Sequence, residues 1–208
     1  WRIVRDEQRK VERRTVRTLV AKDPNTGVEI ACDITTYDDF PAVDWVVRIT
    51  NTSDEDSPII ENFQPLDYKF LKPAGERREF ILRHSRGSRA DEFDFAPTDD
   101  LLPPGEQILL GGHGGRPSDY DLPFANLSWG DGGAVIAVGW SGQWQAVFER
   151  DTGRGLRVQA GMQNMRLKLH PAESIRTPRI CLLFWSGEDV IRGHNLFRQF
   201  VLAHLNPR

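Results

Sequence analysis

A chain of 208 residues with 39% hydrophobic residues and six tryptophans can bury a sizeable core, as one large domain or two small ones. Its net charge of −3 supplies no global attraction to nucleic acid or to an anionic membrane, and no apolar run approaches membrane-spanning length. Cys32 and Cys181 sit in apolar runs without the spacing of a redox or zinc site and read as buried thiols. The chain begins at Trp1 rather than at a methionine, which leaves its native start and its compartment open.

Residues 2–22 are locally basic, with eight Lys/Arg against three Asp/Glu. Within them, Val16, Thr18 and Val20 alternate with Arg17 and Leu19. This is a strand with a solvated basic face rather than a nucleic-acid arm, which would be interleaved with aromatics or glycines. Asp23-Pro24-Asn25-Thr26-Gly27 turns it into a hairpin with a strand over 28–37. A β-branched and aromatic strand follows over 42–50. The acidic loop 51–58 lacks the glycine and terminal glutamate of a calcium loop and reads as a solvated turn. Two more strands, 59–71 and 78–84, flank Pro73-Ala74-Gly75. The stretch 85–104 is irregular, and loops of that length are functional or disordered. A short strand at 106–110 leads to a second loop, 111–123 (GGHGGRPSDYDLP), whose glycines admit a ligand close to the backbone without forming a phosphate cradle.

The stretch 122–151 organises the rest. Asp131-Gly132-Gly133 between apolar runs predicts a hairpin. Trp140 and Trp144 are four apart and would share one face of a straight strand, either closing a sandwich core or forming a platform for a sugar ring. Strands follow over 155–162, 165–169 and 174–184. From Gly187 the period becomes helical, through Val190, Ile191, Leu196, Phe197, Phe200, Val201, His204 and Leu205, with Asp189 as cap and Pro207 just past the apolar run. About twelve strands and one C-terminal helix make a large all-β sandwich.

Chemistry is sparse. The five histidines form no HExxH or HxH pattern, so neither a metal site nor a cofactor is expected, and His194 and His204 read as packing or surface residues. Gly139-Trp140-Ser141-Gly142 nearly matches a nucleophile elbow, but Gln143 replaces the last glycine and strands flank both sides. No residue is assigned a catalytic role.

Several segments, in order, carry a resemblance: FPAVDW (40–45), IENFQPLD (60–67), LPFANL (122–127), GWSGQW (139–144), AGM (160–162), Leu169 with Pro171 and Glu173, RTPRI (176–180), and NLFR (195–198) with His204 and Pro207. Together they resemble the N-terminal domain of α-galactosidase (melibiase) type enzymes, glycoside hydrolase family 36, over almost the whole chain. The specificity lies in their ordered combination.

The resemblance implies a large two-sheet antiparallel supersandwich, galactose mutarotase-like, with one C-terminal α-helix. Residues 1–187 would be the sandwich, and 188–208 a helix leading to a catalytic (β/α)8 barrel that carries a retaining carboxylate pair. The chain reaches Arg208 at about the place where the barrel would begin, so the pair has no position here. The expectation is a non-catalytic domain that supports the barrel, a homo-oligomer and the mouth of the substrate site, and that does not hydrolyse galactosides by itself. There, Arg116, Asp119 and Asp121 would hydrogen-bond galactoside hydroxyls. The alternative is a stand-alone carbohydrate-binding sandwich with Trp140 or Trp144 as its stacking platform. Ala125 in place of a second aromatic, and Ala172 in place of a glycine, bear on substrate more than on fold. Fold likeness does not grant the mutarotase reaction.

Overall fold

A computed structural model describes residues 1–206, so Pro207, expected to end the helix, lies outside the described residues. Among these residues the chain forms β1 (Arg2–Val11), β2 (Arg14–Lys22), β3 (Val28–Tyr37), β4 (Ala42–Asn51), β5 (Ile60–Glu61), β6 (Leu66–Leu71), β7 (Phe80–Ser85) and β8 (Pro97–Leu102). There follow β9 (Gln107–Gly111), β10 (Phe124–Trp129), β11 (Gly132–Gly139), β12 (Trp144–Arg150), β13 (Gly155–Met162), β14 (Arg166–Leu167), β15 (Ser174–Arg176), β16 (Arg179–Ser186) and α1 (Val190–Phe200). A ten-stranded antiparallel sheet runs β1-β2-β3-β4-β16-β11-β10-β7-β8, with β15 also on β4. A four-stranded sheet, β6-β13-β12-β9, and the short pair β14-β5 complete the strands.

Alternation of side chains explains the layers. In β11 and β16, Ala134, Ile136, Val138, Ile180 and Leu182 face the four-stranded sheet and meet Trp144, Phe148, Leu156 and Val158. Their neighbours Val135, Cys181, Leu183 and Trp185 face the other way and pack on the helix through Leu196, Phe197 and Phe200. Strands covered on both faces carry continuous apolar runs, which is why this stretch stands out in the sequence. A third cluster, Val47, Ile49, Met165 and Leu169, fills the space under β5 and β14.

The helix begins where expected: the Asp189 carboxylate accepts from the Ile191 amide at 3.0 Å. Its last turn widens into a π turn over Val201–Leu205, which leaves His204 against Tyr37, Phe40 and Phe200, with Nε2 3.0 Å from Asp39.

Several expectations change. Residues 2–11 form a strand, held by its ladder to β2 and by Asp6–Arg17, although both faces are exposed and give no apolar period. The run 59–71 breaks into β5 and β6 around Asn62, whose φ is 53°. The irregular stretch 85–104 contains β8, an edge strand whose Asp99 faces water while Asp100 pairs with His84. The strand foreseen over 165–169 shrinks to β14. The run 174–184 divides at Thr177-Pro178, where the Thr177 amide donates to the Val47 carbonyl, so β4 carries β15 and β16 in succession. The hairpin turn is Gly130-Asp131, one residue early. Gly130, at φ +65°, takes the first central position, as a type II′ turn requires. Cys32 and Cys181 are free and separated by β4.

Candidate functional site

The loop 111–123 hangs between β9 and β10 and lies beside the loop 86–96. The Gly87 amide donates to the Tyr120 carbonyl and the Ser88 amide to the Ser118 carbonyl, both at 2.8 Å. A Cβ on Gly87 would stand 2.1 Å from the Ser118 oxygen, so only glycine permits this approach. The junction holds Tyr120 at φ 114°, a conformation that side chains rarely adopt.

The residues expected to bind sugar sit differently from one another. Asp121 turns back on the loop and accepts from the Gly111 amide at 2.9 Å. Asp119, with 16% of its side chain exposed, accepts from Arg116 at 2.8 Å, whereas the Arg116 side chain is 72% exposed. The two carboxylates therefore shape the loop, and of these three residues Arg116 is the one presented to water.

Trp140 and Trp144 do not share a platform. β11 belongs to the ten-stranded sheet and β12 to the four-stranded one, so the chain crosses between sheets from Trp140 to Gln143. Trp144 is 1% exposed, sits in the core and donates its indole N–H to the Pro117 carbonyl at 2.6 Å. Trp140 is half-buried against the same core, with the Arg176 guanidinium 5.8 Å from its ring. Gln143 accepts from the Gly115 amide at 3.1 Å. The Gly139–Trp144 segment thus buttresses the loop 111–123 instead of supplying a nucleophile. Its burial leaves Trp144 no open ring face on which a sugar could stack.

Residues the sequence did not single out complete this surface. Tyr120 packs on His113 with ring centroids 4.3 Å apart, and the Arg89 guanidinium lies 5.0 Å from the Tyr120 ring. Phe93 and Phe95 project from the neighbouring loop, 55% and 58% exposed. Asp94 fixes that loop by accepting from Ser88 Oγ and the Arg89 amide. Two aromatics within the polar run DEFDF were the available signal.

Nothing in this arrangement assembles an acid, a base and a nucleophile. Three of the five histidines pair separately, His84 with Asp100, His170 with Asp56 and His204 with Asp39. Among the described residues no group of three His, Cys, Asp or Glu could hold a metal. Burial, aided by Asp33, pushes the Cys32 thiol up to about 11, and burial with Asp44 pushes Cys181 up to about 12, so neither is a thiolate at neutral pH.

The glycosyl hydrolase family 36 N-terminal domain model matches residues 7–170. No curated protein matches the chain. Among solved structures it is similar to an α-galactosidase from Lactobacillus brevis, with a TM-score of 0.75 and 15% identity over 97% of this chain and 28% of that one. It is also similar to the α-galactosidase AgaA of Geobacillus stearothermophilus, with a TM-score of 0.69 and 20% identity over 89% of this chain and 27% of that one. A Klebsiella pneumoniae protein described as an aldose 1-epimerase shares the fold more loosely, with a TM-score of 0.56 and 10% identity over 95% of this chain and 57% of that one. The chain thus spans little more than a quarter of the two α-galactosidases.

Proposed function

The chain belongs to the glycosyl hydrolase family 36 N-terminal domains, and from that premise we propose that it is the non-catalytic N-terminal domain of an α-galactosidase. The observation that carries this reading is the way nearly all of the chain maps onto 28% of an α-galactosidase. In this reading residues 1–187 are the sandwich, and 188–208 are the linking segment, begun by the helix, that leads to a catalytic barrel. The domain supports that barrel, takes part in a homo-oligomer, and brings the loop 111–123 to the mouth of the substrate site. There Arg116 is the exposed donor, with Asp119 and Asp121 setting its position. Variants of the Geobacillus enzyme are complexed with stachyose and raffinose, and α-galactosides of that kind are the substrate class proposed for the parent.

The stand-alone sugar-binding reading is weaker, because only Trp140 of its two indoles keeps any open surface. Sequencing the native reading frame beyond Arg208 tests the choice. Several hundred further residues in alternating strand and helix would sustain the enzyme reading. An early stop would end it and make sugar titration, followed by tryptophan fluorescence, the next experiment.

A further inference from the structure

Resting on the reading above, we propose that an arginine-rich face of the ten-stranded sheet, beside the end of the helix, seats an acidic surface of the polypeptide that follows Asn206 in the parent chain. Register fixes which side chains share this face. Tyr37 packs on Phe200 and His204, so its side of the sheet is the helix side. Opposed residues share a face, and sides alternate along each strand. Arg14, Val16 and Thr18 of β2, Asp33 of β3, and Arg5, Glu7 and Arg9 of β1 therefore lie on the helix side. The Thr18 hydroxyl donates to Asp33 at 2.7 Å, in agreement. Asp44 accepts from the Tyr37 hydroxyl, which places Arg48, four residues along β4, on the same side.

The helix packs on β10, β11 and β16 and ends at Tyr37 and Phe40, so β1 and β2 stay open beside it. A groove of about 470 Å³ along this face is lined by Arg5, Glu7, Arg9, Val16, Thr18 and Asp33, among others. A second, of about 430 Å³, lies at the helix end and is lined by Glu12, Arg13, Arg14, Asp39, Ala203 and His204. Asn206 follows directly on the turn that lines the second groove. A domain joined there would begin beside this groove.

The state of the charges is the second observation. On the opposite side of the same hairpin, Arg17 makes two bonds to Asp6, at 2.8 and 2.6 Å, and Lys10 pairs with Asp38. On the four-stranded sheet, Arg157 makes the same fork with Asp67. On the helix side, Arg5, Arg9, Arg14 and Arg48 make no ion pair among the described residues, while Arg5, Arg9 and Arg48 are exposed. A chain of net charge −3 thus gathers at least four unpaired guanidinium groups on one face, against Glu7, Glu29 and Asp33. Guanidinium is planar, weakly hydrated and suited to bidentate contact with carboxylates, so an acidic protein surface complements this face.

Arginine modification by phenylglyoxal in the intact parent protein, read by mass spectrometry, tests the assignment. Arg5, Arg9 and Arg48 are expected to react about tenfold more slowly than the exposed Arg77 and Arg154, which lie elsewhere on the sandwich. The double variant Arg5→Glu/Arg9→Glu should restore reactivity at Arg48 and split a single thermal transition into two. Reactivity equal to that of the controls overturns the proposal. So does protection that varies with protein concentration, which puts a second copy on the face, or with added nucleic acid. If the double variant does not fold, the wild-type footprint still decides. Assaying the same sample on an α-galactoside separates the claims: activity without protection removes the docking face alone, and absence of activity removes the parent reading.

Discussion

Gly193 shows what a single residue contributes to this fold. It is the fourth residue of α1, inside the helix, where alanine ordinarily gains roughly 0.5–1 kcal/mol over glycine. Here a Cβ would stand 2.6 Å from Trp185 Nε1 and 3.0 Å from Asn126 Nδ2. Those two side chains are buried and bonded to each other at 2.8 Å, so neither can give way. Overpacking of this kind costs about 1–3 kcal/mol. Gly193→Ala should therefore lower the urea midpoint, and an unchanged or raised midpoint would contradict the close packing. Tyr37 makes a second case. Its hydroxyl donates to Asp44, which is 2% exposed and otherwise has Arg179 at 3.7 Å. Burial, and then Asp44, holds the Tyr37 phenol well above its ordinary range. Tyr37→Phe leaves a buried carboxylate short of a donor and should cost about 1–3 kcal/mol. Adding Asp44→Asn should recover part of that loss, whereas additive losses in the double variant would show that the two side chains act independently.

At the scale of elements, the β12–β13 turn depends on one carboxylate. Asp151 accepts from the Gly153 and Gly155 amides at 2.8 and 2.9 Å and pairs with Lys69 at 2.7 Å. The Lys69 contact first, and the two amides after it, bring its pKa down to about 2 from 3.8. A folded-state value below the unfolded one gives stabilisation that is complete above about pH 4 and lost as pH falls towards 2. Asp151→Asn should therefore be less stable than the wild type at pH 7, with the gap closing at pH 2 in thermal scans. A gap that stays constant across that range would exclude the carboxylate as the cause.

The same scale shows what was legible. The strands over 28–37 and 155–162 follow from apolar alternation between clear turns, and the Asp189 cap from its place before the helical period. β1 and β8 escape notice because they are the two edges of the large sheet, where no apolar period is imposed. Trp140 and Trp144 would share a face only in a straight strand, and nothing in the sequence marks where the chain leaves one sheet for another. Tyr120 and Arg89 meet through backbone bonds between two loops, a tertiary pairing with no local signature.

As a whole molecule, the chain is a ten-stranded sheet covered by the four-stranded sheet on one side and by the helix on the other. Its buried polar groups are spent on holding loops and strand ends, as Trp144 holds the Pro117 carbonyl and Thr177 bridges to Val47. Among the described residues no acid, base and nucleophile come together in one place. Release of nitrophenol from an aryl α-galactoside, by the protein of the complete reading frame and by the 208-residue chain alone, tests this account most directly. It predicts turnover by the complete protein and none by the chain. Turnover that purifies with the 208-residue chain, or a complete protein that leaves the galactoside intact, would contradict it.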